Sequence, residues 1–343
     1  MNITPAPAIP IRIRALFLSD LHFGYKGVDA AAILDCLKTY SPQRIYLVGD
    51  IIDGWKLSKR WHWCADYTRV LDALVDHRRR GVKIIYLPGN HDEQVRRINP
   101  IERAKFAYKI GVQITNTYIH RTKDGRRIIV LHGDQFDNAL IRGAISRIGD
   151  WFFDLLNDWF DYVVPPPLVI IEGKKKRFSL AKSLVKKSGK MALRILNNLE
   201  WVAARMIRRK GADGLICGHT HVPKIKTLRR KYFFGNCGMW LGYTNTAIIE
   251  TLDGALELVH WPDMRQPEKS IPASEAVHMA RNFETAWMIR RIRQLWPSRR
   301  GNTSGAERVD PQTLESEKRL IDQKSGHGVD KISHATLGDE FVA

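Results

Sequence analysis

Five short polar clusters carry the residue types that hold metal ions: Ser19-Asp20-Leu21-His22, Gly49-Asp50, Gly89-Asn90-His91-Asp92, His132-Gly133-Asp134 and Gly218-His219-Thr220-His221. Asp20, His22, Asp50, Asn90, His132, His219 and His221 together offer carboxylates, imidazoles and an amide carbonyl. Such a nitrogen and oxygen donor set suits borderline divalent ions, with manganese the first choice and iron, zinc or cobalt also suited. Seven protein ligands are too many for one catalytic ion that keeps open positions. They suit two divalent metal ions sharing a bridge. Any one cluster alone would read as turn or capping residues. All five, in order and each after a strand, are a strong signal for a two-metal site, where paired ions hold and activate a water.

The elements that must position these clusters alternate. Ile11 to Leu18 reads as a strand, Val28 to Tyr40 as a helix ended by Ser41-Pro42, and Arg44 to Val48 as a second strand. A helix follows from Ala65 to Arg80, then a strand from Val82 to Leu87. Arg127 to Leu131, Gly214 to Cys217, Tyr232 to Gly235, Thr246 to Thr251 and Ala255 to Val259 read as further strands. The expected class is α/β: a layered sandwich core flanked by helices, with each polar cluster at a strand's carboxyl end.

The chain has 343 residues, of which 44% are hydrophobic and 27% charged, so it can bury a core. Lys and Arg number 55 against 36 Asp and Glu, a net charge of +19 that calls for an anionic partner. Cys36, Cys64, Cys217 and Cys237 are scattered without a C-x-x-C pair, which suits a reducing cytosol. No signal peptide or membrane-spanning run is read from the sequence, so the expected location is cytoplasmic.

The domain reading is a tail over 1–10, a catalytic domain over 11–264 and, inside it, a helical insertion over 138–211. The insertion mixes Trp151, Phe152, Trp159 and Phe160 with Lys174, Lys175, Lys176 and Arg177. It reads as a helical insertion on the core or as a surface helical hairpin whose aromatics pack on that core. An amphipathic helix is expected over 273–298, serving either as an interfacial helix or as a packed one. Residues 299–343 read as a disordered tail.

The five clusters resemble the signature of the calcineurin-like metallophosphoesterases, over about Ile13 to Leu258. The resemblance implies that Asp20, His22 and His221 hold one metal, that Asn90, His132 and His219 hold the other, and that Asp50 bridges them. It also implies that His91 assists the leaving oxygen, and Asp92 is placed to orient His91. Within the family the chain is most similar to the UDP-2,3-diacylglucosamine hydrolase branch. The size, the insertion between H-G-D and G-H-T-H, and Gly238-Met239-Trp240 carry that likeness, which implies that the helical insertion is a lid over an amphiphilic anionic substrate. That branch commonly reads G-N-R-D where this chain has His91. The branch implies hydrolysis of a lipid-linked nucleotide diphosphate to UMP and a lipid phosphate, and peripheral contact with an anionic inner membrane. It points to Asp137, Lys174, Lys175, Lys176, Trp151, Trp159 and Trp240 as substrate contacts. Three other readings stay open: a nuclease drawn to nucleic acid by the positive charge, a protein or small-molecule phosphatase, and a non-catalytic membrane or scaffold protein.

Overall fold

The computed structural model describes residues 9–136, 199–242, 244–265 and 269–298. Residues 1–299 and 300–343 are separate units, and all the described residues lie in the first.

Strand β1 is Ile11–Leu18 and helix α1 is Ala30–Thr39, the latter capped by the Asp29 carboxylate, which accepts from the Ala32 N–H at 3.0 Å. Strand β2, Tyr40–Leu47, begins directly after α1 and before the expected Arg44. Pro42 explains the early start, because a proline drives the preceding residue out of the helical region and into extended backbone. Helices α2 (Gly54–Lys59) and α3 (Ala65–Arg79) lead to β3 (Lys83–Tyr86). Next come α4 (Gln94–Arg97), α5 (Pro100–Ile110), β4 (Gln113–Ile114), β5 (Tyr118–Arg121) and β6 (Arg127–Val130). Beyond residues 137–198 a helical stretch covers 199–209. It is followed by β7 (Gly214–Cys217), β8 (Lys224–Leu228), β9 (Tyr232–Asn236), β10 (Thr246–Glu250) and β11 (Leu256–His260).

Among the described residues the strands form two sheets, ordered β11-β10-β1-β2-β3-β4 and β5-β6-β7-β9-β8. In the first, β1 to β4 run parallel. In the second, β6, β7 and β9 run parallel, with antiparallel β5 and β8 at the edges. Successive side chains of a strand point to opposite faces, and that alternation builds three cores. Ala15, Phe17, Tyr46, Val48 and Ile85 of the first sheet meet Ile128, Val130 and Ile216 of the second. Leu16, Leu18, Ile45 and Leu47 turn the other way, onto α1 and α3. Ile129, Leu131 and Leu215 turn outward from the second sheet onto Ala203 and Ile207 of the 199–209 helix. The helix-flanked sandwich read from the sequence is therefore the observed architecture.

The C-terminal segment departs from expectation. It is two helices, α6 (Ala273–Met279) and α7 (Phe283–Leu295), rather than one. The buried Asp72 carboxylate of α3 accepts the Arg281 and Asn282 N–H groups at 3.1 and 3.2 Å, which ends one helix and starts the next. Ile289, Ile292 and Trp296 are buried in the helix-side core, so α7 packs on the sandwich. Phe283 faces outward, 55% exposed.

A buried polar group ties the two sheets together. Glu250 on β10, fully buried, lies 2.9 Å from Arg14 Nε and 2.8 Å from His120 Nε2. It also accepts the Lys123 N–H at 2.8 Å. His120 Nδ1 is in turn 2.9 Å from the Tyr46 hydroxyl. Burial pushes the Glu250 carboxyl up, but the bonds from His120 and Lys123 outweigh it and hold it below its ordinary value. Removing one partner of a buried pair strands the others, at a cost of about 3–5 kcal/mol. Glu250→Ala is expected to lower stability by that order in denaturant unfolding. The carboxyl is depressed, so its stabilisation is present above the unfolded value of about 4.3 and is lost as pH falls through the folded one. Acidification is therefore expected to lower the thermal midpoint of the native protein more steeply than that of Glu250→Gln.

Candidate metal centre

The five polar clusters all follow strands: β1, β2 and β3 of the first sheet, β6 and β7 of the second. The sandwich brings these ends together at one edge. The turns there are tight. Asp20, His22, Asp50, His219 and His221 have φ of 55°, 48°, 52°, 68° and 57°, a left-handed backbone uncommon for residues with a Cβ. Such strain persists only where surrounding bonds over-determine it. Here the Asp20 N–H donates to the Gly49 carbonyl at 3.0 Å and the His22 N–H to the Asp50 carbonyl at 2.9 Å. The Gly218 N–H donates to the His132 carbonyl at 2.9 Å. Gly89 is required by close approach, since a Cβ there would collide with the Asp50 carboxylate and the His132 ring.

Among the described residues the side chains form two groups, linked through His22 and Asp50. In one, Asp20 Oδ1 lies 3.0 Å from His221 Nε2 and 3.7 Å from His22 Nε2, and the two Nε2 atoms are 3.4 Å apart. In the other, His132 Nε2 lies 3.1 Å from Asp50 Oδ2 and 3.3 Å from the Asn90 amide oxygen. Asp50, His132 and His219 offer ligand atoms within 4.8 Å of one another, as do Asp50, His22 and His91. Asp50 thus belongs to groups on both sides, the position expected of a bridge. His132 Nδ1 sits 2.9 Å from the Val48 carbonyl, which holds the proton on Nδ1 and leaves Nε2 as the donor atom. Asp20 Oδ1 is buried, and its near polar neighbours are the His221 and His22 Nε2 atoms. A buried carboxylate oxygen in that state, ringed by imidazole nitrogens, fits a divalent cation.

His91 stands beside this centre, but its neighbour differs from the one expected. Asp92 does not orient it. The Asp92 carboxylate accepts the Ile51 N–H at 2.9 Å, the Tyr86 hydroxyl and the Gly89 N–H, so it locks the G-N-H-D turn from below. Asp53 takes the orienting place instead. Its Oδ1 is 3.2 Å from His91 Nδ1 and its Oδ2 is 3.4 Å from His22 Nδ1. The same carboxylate caps α2, accepting the Lys56 N–H at 2.9 Å. Trp55 covers the His91 ring, with centroids 4.0 Å apart and planes tilted by 32°. Sequence reasoning missed both residues. The available signal was an acid at the N-cap of a short helix starting four residues after Asp50.

Electrostatics follow from this packing. Burial alone would raise the Asp50 carboxyl, but His132 and His91 hold it far below the usual carboxylate range. Asp20 is likewise depressed against its burial, by His221 and His22. Burial lowers His132, but Asp50 and Asp20 draw it up to about 10. Burial keeps His221 below its ordinary value. The centre therefore presents ionised carboxylates at neutral pH.

Of the expected substrate contacts, Asp137, Trp151, Trp159, Lys174, Lys175 and Lys176 lie outside the described residues. Trp240 is fully buried in the helix-side core, its ring 6.3 Å from that of Trp261. Its indole offers no face to a substrate. Its backbone N–H, 3.3 Å from the Asp20 carbonyl, supports the first ligand turn from behind.

Comparison with known proteins adds three findings. Residues 13–223 match the model of the calcineurin-like phosphoesterase family. A UDP-2,3-diacylglucosamine hydrolase of Vibrio atlanticus is 26% identical over 72% of this chain and 96% of its own length. The protein of the same name from Blochmanniella pennsylvanica is 23% identical over 63% of this chain and 82% of its own. Among solved structures, a dimetal phosphatase from Danio rerio is similar at 12% identity and a TM-score of 0.36, covering 77% of this chain and 100% of that one. Vacuolar protein sorting 29 from Cryptosporidium parvum is similar at 15% identity and a TM-score of 0.35, over 75% and 97%.

Two outcomes are expected of this centre. Asp53→Ala releases the His22 ring, and loss of such an outer carboxylate lowers metal affinity by about 10–100-fold, measurable by competition with a chelator. Metal uptake is also expected to be proton-linked. His132 holds its proton up to about pH 10, and an imidazole must lose the Nε2 proton to ligate. Affinity for Mn²⁺ should thus rise with pH through the neutral range, with proton release seen calorimetrically in buffers of different ionisation enthalpy.

Proposed function

The chain belongs to the calcineurin-like phosphoesterase family, and we propose that it hydrolyses the diphosphate of UDP-2,3-diacylglucosamine or a similar lipid-linked nucleotide, giving UMP and a lipid phosphate. The reaction class, metal-dependent hydrolysis at phosphorus, rests on the family match and the full set of ligand types. One observation carries the substrate reading: the similarity extends over nearly the whole length of a hydrolase of that name, 96% of the Vibrio atlanticus protein. The surplus of 55 basic over 36 acidic residues is in keeping with a diphosphate on an anionic membrane surface. No helix among the described residues is long and apolar enough to cross a membrane, so the contact we propose is peripheral, on the cytoplasmic side of the inner membrane.

Bound at this centre, two divalent ions, manganese in the first instance, would lower the pKa of a water and offset the charge of the phosphate. Asp20, His22 and His221 would hold one ion, and Asn90, His132 and His219 the other, with Asp50 shared between them. The His91 N–H anchors Asp50 Oδ1 at 2.9 Å. Asp53 beside Nδ1 and Trp55 against the ring fix the His91 imidazole. Its Nε2 is then the atom to stabilise or protonate the leaving oxygen. The substituents on phosphorus decide which ester is cleaved, and the residues from 137 to 198 are the part of the chain we assign to acyl and nucleotide recognition.

The test is hydrolysis of UDP-2,3-diacylglucosamine in detergent micelles with Mn²⁺, followed by release of UMP. EDTA-sensitive release is expected. Asp50→Ala is expected to abolish it together with metal retention. His91→Ala is expected to lower turnover by about 10²–10⁴-fold with the metals still bound. Cleavage of a generic phosphodiester without UMP release would retain the centre and reject this substrate, and competition by DNA would then turn the reading to a nuclease.

A further inference from the structure

Helices α5 and α7 lie side by side. The Phe106 and Trp287 rings meet with centroids 5.3 Å apart, and Lys109 Nζ sits 4.7 Å from the Trp287 ring centre and 5.3 Å from that of Phe283. Each helix turns one side inward, where Ile110 of α5 and Ile289 and Ile292 of α7 are buried. The opposite sides share one spacing. It brings Ile101, Lys105 and Tyr108 together on α5, and Phe283, Trp287 and Arg290 together on α7. Ile101 is 67% exposed, Tyr108 90% and Phe283 55%. Large apolar side chains left outside on two touching helices mark an interaction surface, unlike the same residues scattered singly.

This surface is basic. Lys105, Lys109, Arg290 and Arg291 stand on it, and among the described residues its acid is Glu102, which Lys105 meets at 3.1 Å. The neighbouring carboxylates are already matched one to one by cations of their own. Glu284 takes Arg78 and Arg79, and Asp72 and Asp76 take Arg281. The excess charge therefore belongs to the outward side of the helix pair. The pair also reaches the metal centre. α7 ends at Trp296, whose indole a Cβ at Gly54 would strike, and the Gly54 N–H donates to the His91 carbonyl at 3.2 Å. α5 follows the His91 turn after the single turn of α4.

We propose that the outward side of α5 and α7 seats the protein on an anionic lipid bilayer. Ile101, Tyr108 and Phe283 enter the boundary between headgroups and acyl chains, and the Lys and Arg side chains meet lipid phosphates. Aromatic and aliphatic residues interleaved with Lys and Arg on an exposed helix side form the composition of such a contact. α7 thus serves both roles its amphipathic pattern allows, packed along one side and interfacial along the other. What the contact serves rests on the lipid-linked substrate proposed above: a bilayer here presents that substrate at the edge where His91 stands. The contact itself needs no turnover.

Flotation of the full chain with phosphatidylcholine vesicles, with and without phosphatidylglycerol, tests this. Binding is expected on the anionic vesicles, weakened by salt, and little on phosphatidylcholine alone. Tyr108→Ser combined with Phe283→Ser is expected to lower partitioning about tenfold. Lys105→Gln combined with Arg290→Gln is expected to lower it about 25-fold, since each cation near such a surface contributes about fivefold. Both pairs leave Mn²⁺-dependent hydrolysis of bis-p-nitrophenyl phosphate in solution unchanged, which also shows that they fold. The native cysteines are buried, so a polarity-sensitive dye can be placed at one chosen position. On Tyr108→Cys the dye shifts to the blue with anionic vesicles, and on Asp253→Cys, in the β10–β11 turn, it does not. Absence of vesicle binding overturns the proposal, as does binding that both pairs leave unchanged. Self-association abolished by Tyr108→Ser with Phe283→Ser, without vesicle binding, makes the surface a contact between copies and also overturns it. Vesicle binding lost in both pairs, without UMP release from UDP-2,3-diacylglucosamine, keeps the surface and rejects the substrate.

Discussion

The Asp50 carboxylate is the constraint on which the rest of the structure turns. It is 1% exposed, its carboxyl is held far below the usual range by His132 and His91, and it lies within reach of His132 on one side and the His22 and His91 group on the other. A buried anion survives only if cations or donors surround it. Meeting that demand forces loops from β2, β3 and β6 to the same point, and with them the two sheets that carry those strands. The apolar layer between the sheets, with Phe17, Tyr46, Ile128 and Ile216 at its centre, sets the spacing at which the loops can meet.

The ligand turns show how local strain is held. Five candidate ligands with left-handed backbone would unwind in isolation, each at a cost of order 1–3 kcal/mol. Bonds between turns, such as His22 N–H to the Asp50 carbonyl and His219 N–H to Asp20 Oδ2, hold each turn by another. Asp92 and Asp53 divide the remaining work. One fixes the backbone of the Gly89 to His91 turn, and the other sets the planes of two imidazoles. Burial and the Asp50 charge raise the Asp92 carboxyl, in keeping with a backbone-locking group rather than a partner for an imidazolium.

The C-terminal segment illustrates the same interplay at lower stakes. The apolar spacing over 275–296 is that of a helix, and helices form there. Asp72, buried on α3, interrupts them by taking two backbone N–H groups. Arg78 and Arg79 of α3 then bind Glu284 in the first turn of α7, where a carboxylate also favours the helix dipole. Met279 and Phe283 remain outside while Ile292 and Trp296 go inside. The break between the helices is what separates them.

The sequence by itself determined the ligand types, their order and their attachment to strand ends, because hydrophobic periodicity and the Gly-containing turns are local properties. β1 over Ile11–Leu18 and β7 over Gly214–Cys217 have the bounds read from their residues, and the sandwich class follows from the alternation. Tertiary structure alone decided which acid serves His91. Asp92 is adjacent in sequence, but the turn points its carboxylate back at Ile51 and Gly89. Asp53, thirty-eight residues earlier, arrives through the parallel pairing of β2 and β3. It also decided that Trp240 is core, since the strand end that carries it turns behind Asp20. Neighbours in space are set by strand order and side-chain direction, and neither is encoded in the spacing of a motif.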